Sequence, residues 1–243
     1  MAEKTLFIPV SGSSHFYLFS EEACVIIEKI LAKRKDTSSG PKIAIVDENN
    51  DPGKRTHGSL YIIGATVLSE DEVEEFKDIT EKRFKNEEFK FRKSSPKLKH
   101  IILEEASELQ LSVYVVTIRK PMLLKWTTGE KKNVHLNGVD KLIRSIIKTE
   151  KATMLHIILD DTGMVSKGSI EFILTKVSVE TGQIITYEIL DSRSCFMIQT
   201  NDYVIGSVGR KFNRKDDQYF NALHAKVYRK RLLFKKTKSL LKK

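Results

Sequence analysis

Lys42-Ile-Ala-Ile-Val-Asp47 decides how this chain folds: an apolar, largely β-branched run closed by a carboxylate and followed by Glu48-Asn-Asn-Asp-Pro-Gly-Lys-Arg55. A short apolar run bounded by turn chemistry reads as a buried strand leading into a polar loop. Ser59 to Leu68, interrupted only by Gly64, reads as the next strand, so the two form a hairpin with a polar tip. Leu155-His-Ile-Ile-Leu-Asp160 repeats the first pattern, an apolar run ending in aspartate. Leu111 to Ile118 and Ile184 to Leu190 supply two further strands.

Helices fall between them. Ser69-Glu-Asp-Glu72 is a Ser-x-x-Glu capping box with an acidic first turn, opening a helix to about Lys85. Ser95-Pro96 opens another, because proline suits the first helical position and serine caps well. Helices are also predicted from about Leu136 to Lys148 and from about Phe196 to Phe212. This order predicts an α/β fold, a mixed sheet with helices covering its faces. Residues 1–40 read as an appendage: a strand at Leu6 to Val10, a Gly/Ser loop, and a helix capped by Ser20 with Val25, Ile26, Ile27, Ile30 and Leu31 on one face. Asp36-Thr-Ser-Ser-Gly-Pro41 links it to a main domain at 41–225, and 226–243 follow as a basic C-terminal tail, expected to be helical.

The formal net charge is +10, but its distribution matters more than its size. Residues 226–243 hold nine Lys or Arg and no acid, so of 42 basic side chains 33 remain to face all 32 acids. The body is near neutral and the tail cationic, which suits contact with phosphates or another anionic surface, or else an inert solvated helix end. The longest apolar runs are about seven residues, far below the roughly 20 a bilayer helix needs, and the N-terminus lacks a secretory pattern. A cytoplasmic protein without a membrane span is expected. Cys24 and Cys195 give no disulfide framework or zinc site, and the six histidines lack metal-ligand spacing.

The carboxylates at strand ends carry the chemistry. Asp47 and Asp160 each close an apolar strand, and ligands of α/β sheets bind at the carboxyl ends of parallel strands. If these two strands are parallel neighbours, the acids converge and repel unless a hard cation such as magnesium or manganese joins them. Asp202 sits in a helix whose Ile198, Ile205 and Val208 are at helical spacing, with Gly206 and Ser207 allowing close packing. It either holds a partner or metal there or lies on an exposed face. Glu88 lies in Asn86-Glu-Glu-Phe-Lys-Phe-Arg-Lys93, where an acid among bases is a surface ion pair or a ligand. Its neighbours Lys90, Arg92 and Lys93 could meet phosphates, with Phe89 and Phe91 as packing residues or base-stacking platforms.

Taken together, these segments resemble the domain-of-unknown-function 3800 family, uncharacterised prokaryotic proteins with an RNase H-like fold. Val46-Asp47-Glu48-Asn49 is similar to its Tyr-Ile-Asp-Glu-Ser-Gly opening, Ser59 to Val67 to its second strand, and Glu88-Phe-Lys-Phe91 with Ser94-Ser-Pro96 to its Glu-Phe-Lys-Phe segment. Leu159-Asp160 resembles the family's Ile-Asp strand end, and Asp191-Ser192 with Ile198-Gln199 and Asp202 its Asp-Ser and Leu-Gln-x-Ala-Asp helix. The chain departs from it at Asn49-Asn50, where the family has Ser-Gly, and at Asn201, where it has Ala. The resemblance spans residues 42 to about 220. It implies a mixed five-stranded sheet that brings Asp47, Glu88, Asp160 and Asp202 to one site as catalytic ligands of Mg2+ or Mn2+, with Glu48, Asp161 and Lys90 supporting them.

The function this implies is divalent-metal-dependent phosphodiester hydrolysis of RNA or DNA by a two-metal mechanism. Arg92, Lys93, Arg229, Lys230, Arg231, Lys235 and Lys236 are then the expected nucleic-acid contacts. The alternative is a non-catalytic nucleic-acid-binding or protein-interaction module on the same scaffold. No Gly-x-Ser-x-Gly, phosphate-loop or dinucleotide motif supports another hydrolase or transferase.

Overall fold

A computed structural model of the chain describes residues 4–6, 17–19, 40–49, 59–84, 89–120 and 127–232. At the N-terminus, β1 (Lys4–Leu6) pairs antiparallel with β2 (Tyr17–Phe19). The helix expected after Ser20, most of the strand expected at Leu6 to Val10, and the hairpin tip at 50–58 lie outside the described residues.

The main sheet begins with β3 (Lys42–Asn49) and β4 (Leu60–Ser69), antiparallel as the hairpin reading expected. A 3-10 turn over Glu70–Glu72 and helix α1 (Val73–Glu81) follow, with the Ser69–Glu72 capping box in place. Helix α2 (Pro96–Ser107) is capped by Ser95, whose hydroxyl accepts from the Leu98 N–H at 3.3 Å. Then come β5 (Ser112–Arg119), α3 (Thr128–Glu150), β6 (Met154–Asp160), α4 (Lys167–Thr181), β7 (Ile184–Leu190), α5 (Phe196–Arg214), α6 (Gln218–Leu223) and β8 (Lys226–Leu232).

The strand order is β7-β6-β3-β4-β5-β8, with β3, β6 and β7 parallel to one another and β4 reversed. The sheet thus has six strands rather than five. The sixth comes from the basic segment expected to be helical: Lys226–Leu232 runs parallel to β5. Its charged residues disguise a strand, yet Tyr228 stacks on Tyr114 with ring centroids 4.7 Å apart, and β5 offers backbone groups that need partners.

Both faces of the sheet are covered, which is why the central strands read as continuous apolar runs. Alternate residues point to opposite faces. Ile43 and Ile45 of β3 and Ile158 of β6 pack with α1, α2 and α5, whereas Ala44, Val46, Leu155, Ile157 and Leu159 pack with α3 and α4. Full burial of each large aliphatic side chain contributes roughly 1.5–3 kcal/mol. The same parity assigns the strand ends: Asp47 follows Ile45 by two residues and Asp160 follows Ile158 by two, so both acids belong to the α5 face.

Candidate active site

β3 and β6 are paired in parallel with Val46 beside Leu159, so Asp47 and Asp160, the next residue of each strand, lie at the same end of the sheet on adjacent strands. The third acid comes from α5. This helix can descend onto the sheet because Gly64, which faces Asp47 across the β3–β4 ladder, has no side chain: a Cβ there would lie 2.6 Å from Cδ1 of Ile205. Ile198, Ile205 and Val208 bury the underside of α5, as their helical spacing predicted, Val204 is buried with them, and Asp202 remains half-buried beside them.

Asp47, Asp160 and Asp202 line one cleft of about 610 Å³. Each is tied by a backbone N–H from a different segment. Asp47 Oδ1 accepts from Glu48 at 2.6 Å, Asp160 Oδ1 from Ser192 at 3.2 Å, and Asp202 Oδ2 from Phe91 at 2.8 Å. Asp47 is only 9% exposed. Burial pushes its carboxyl well above the usual aspartate range, and repulsion from Asp202, Asp160 and Glu48 adds to this against the N–H bond from Glu48. The cleft therefore gathers mutually repelling carboxyl groups on its floor.

The segment before α2 closes one side. Phe91 and Phe89 are packing residues: Phe89 stacks on Phe84 at 3.7 Å between centroids, and Phe91 meets Tyr203 and Tyr219 edge-on. Gly206 makes room for this, since a Cβ there would lie 2.6 Å from the Phe91 ring. Gln199, buried, fastens the same region by accepting from the Phe89 N–H at 3.4 Å and donating to the Ser192 carbonyl at 2.9 Å. Lys90, Arg92 and Lys93 line the cleft, the latter two exposed.

Asp161 is exposed at the cleft margin, its Oδ1 accepting from the Gly163 N–H at 3.2 Å. Glu48 also borders the cleft, but its Oε2 turns to the other face of the sheet, 3.4 Å from the Tyr61 hydroxyl and 3.5 Å from Nδ1 of His135. Tyr61 and His135 share a 2.6 Å hydrogen bond, and burial depresses the His135 pKa to about 4, so at neutral pH this contact is not an ion pair. Neither Tyr61 nor His135 stood out in the sequence, because nothing in their local context marks them.

Glu88, Lys235 and Lys236 lie outside the described residues. Arg229, Lys230 and Arg231 are on β8, three strands from β3 and so about 14 Å across the sheet. Arg229 lies over the Phe212 ring at 4.0 Å and donates to the Thr117 hydroxyl at 3.4 Å. None of these three lines the acidic cleft. Sequence reading missed the cleft's remaining cations, Lys99, Arg210 and Arg214, which come from two separate helices.

The carboxylates present the oxygen donors that Mg2+ and Mn2+ take, in a cleft where they repel one another. Among the described residues, no group of three or more His, Cys, Asp or Glu stands in a metal-holding arrangement. The donor chemistry of the three carboxylates fits a divalent cation.

The reversed second strand, the parallel β3, β6 and β7, and the helices on both faces make an α/β fold with a mixed six-stranded sheet. Two solved structures are similar to it: a chain of the PCNA:RNase HII complex from Archaeoglobus fulgidus and a mutant Bst-RNase HIII. The first has a TM-score of 0.44 at 15% identity over 71% of this chain and 74% of that one. The second has a TM-score of 0.38 at 12% identity over 83% of this chain and 61% of that one. No family model and no curated protein matches the chain. Among the described residues, no helix is long and apolar enough to cross a membrane.

Proposed function

We propose that this protein is a divalent-metal-dependent phosphodiester hydrolase acting on nucleic acid, with Asp47, Asp160 and Asp202 as its ligating carboxylates. One observation carries the reading: acids from β3, β6 and α5 face a single cleft in which Asp47 is buried and repelled by the other two. A fold has no need of such an arrangement, and a cation relieves it. Glu88 joins the set by the resemblance to the domain-of-unknown-function 3800 family. Mg2+ or Mn2+ held by these carboxylates would supply water activation and neutralise the charge on the leaving oxygen. The chain's own contribution is to hold the acids through the N–H groups of Glu48, Phe91 and Ser192, and to flank them with Lys90, Arg92 and Lys93 for phosphates.

The test is cleavage of RNA, DNA and hybrid substrates with Mn2+ or Mg2+ by wild type and Asp47→Asn. Metal-dependent cleavage by wild type alone is expected; the absence of cleavage by either would end the proposal. The second reading, a nucleic-acid-binding module without catalysis, draws on the carboxylates not standing in a metal-holding group among the described residues. It predicts oligonucleotide binding that is insensitive to the metal and to Asp160→Asn.

A further inference from the structure

The cleft has a second wall of opposite sign, and one lysine in it is unusual. Lys99, in the first turns of α2, is only 6% exposed and lines the cleft. Among the described residues no carboxylate pairs with it. Its ammonium instead lies over two aromatic rings, 4.8 Å from the centroid of Phe91 and 5.6 Å from that of Tyr219. A cation placed over ring faces is attracted, but such contacts do not replace the hydration lost on burial.

Two arginines of α5 add to the positive charge of this wall. Arg210 also lies over Tyr219, at 5.0 Å, and its Nε pairs with the Asp216 carboxylate. Arg214, one turn further, is exposed and lines the same cleft. Burial and the two arginines together push the Lys99 pKa down. Three cations thus converge on one stretch of wall with Asp216 as their counter-charge among the described residues, the inverse of the acidic floor.

We propose that Lys99, Arg210 and Arg214 form a phosphate subsite that grips the backbone of a nucleic-acid strand beside the acids. The choice of ligand rests on the nucleic-acid reading above. Placement supports it. Phe91 connects the two halves, its N–H donating to Asp202 at 2.8 Å while its ring carries Lys99, so the subsite is held at a fixed offset from the acids. Asp202 and Arg210 are two turns apart on α5, about 12 Å along the helix axis. For a strand running parallel to α5, that separation corresponds to three or four phosphates at about 3.4 Å of duplex axis each. The subsite therefore engages a phosphate a few nucleotides from the one at the acids, and it sets which part of a strand reaches them.

The experiment measures binding without catalysis. Fluorescence anisotropy of short labelled RNA, DNA and hybrid oligonucleotides in EDTA, across a salt series, compares wild type with Lys99→Met, Arg214→Gln and Asp47→Asn. Lys99→Met should weaken binding about tenfold irrespective of sequence and lower the salt slope by about one; Arg214→Gln should do so more weakly. Asp47→Asn should bind as well as wild type or better. Thermal denaturation should find Lys99→Met at least as stable as wild type, since it removes a buried charge. A destabilised Lys99→Met whose affinity and salt slope are unchanged would assign the lysine to packing and overturn the subsite, as would wild-type affinity in both Lys99→Met and Arg214→Gln. Inorganic phosphate is the second arm: if it raises the melting temperature of wild type but not of Lys99→Met while oligonucleotide binding is unaffected, the site takes a free phosphoryl ligand and the backbone assignment falls. Because these readouts need no metal, a failed cleavage assay leaves them standing, and their failure leaves the cleavage assay standing.

Discussion

Phe91 and Asp202 are joined by a 2.8 Å hydrogen bond from the backbone of one to the carboxylate of the other, across 111 residues of chain. This bond fixes the height of the Phe89–Lys93 segment over α5, and Gly206 is what permits the approach.

Gly206→Ala should therefore act on both. The added Cβ would meet the Phe91 ring at 2.6 Å and its Cβ at 2.9 Å, so the segment must lift. Overpacking of this kind costs about 1–3 kcal/mol. Urea denaturation should register that loss, and any metal-dependent cleavage should fall further than stability alone explains, because the bond from the Phe91 N–H to Asp202 is broken as well.

Asp47→Asn should raise thermal stability in EDTA. An acid whose pKa is raised on folding binds more protons folded than unfolded, so its penalty grows as pH rises above the unfolded value of about 3.9 toward the folded one. At neutral pH the neutral amide escapes both burial of charge and repulsion by Asp160 and Asp202. Adding Mn2+ should reverse the ranking by stabilising wild type more than the variant, as read by calorimetry.

His135 should impose a pH dependence of opposite cause. Its pKa is about 4 in the folded chain because it is buried, against about 6.5 unfolded. The unfolded state then binds the extra proton between these values, so stability is complete above about pH 6.5 and declines as pH falls toward 4. The loss is on the order of 3 kcal/mol at most. Equilibrium denaturation of His135→Gln should show a shallower decline over that window than wild type.

Asn201 and Thr66 make a buried pair, the Thr66 hydroxyl donating to Asn201 Oδ1 at 2.6 Å, while Nδ2 of Asn201 has no partner among the described residues. Thr66→Val alone should cost about 1–3 kcal/mol by orphaning the amide oxygen as well. The double variant Thr66→Val with Asn201→Leu should recover most of that loss, since it removes every unmatched group of the pair. Chemical denaturation of the single and double variants checks the order.

Much of the fold was written in the central strands. Lys42–Asp47 and Leu155–Asp160 are apolar because both faces of the sheet are covered, and the aspartate ending each run stood out as a candidate because nothing in folding asks for it there; the two do line one cleft. Glu48 adjoins Asp47 in sequence but, one residue along the strand, serves the opposite face with Tyr61 and His135. The cations of the cleft wall were not legible, because Lys99 and Arg210 become neighbours only when α2 and α5 pack around Tyr219. Nor was β8, whose strand character depends on the edge that β5 leaves open rather than on its own composition.

That last strand changes how the molecule meets copies of itself. A sheet margin with free N–H and C=O groups invites another chain to add on. Here the margin beyond β5 is the outer side of Lys226–Leu232, where Lys226, Arg229, Lys230 and Arg231 are exposed. Two such margins brought together would set like charges against one another, so a segment whose cations first suggested attraction to a polyanion also guards the sheet against aggregation.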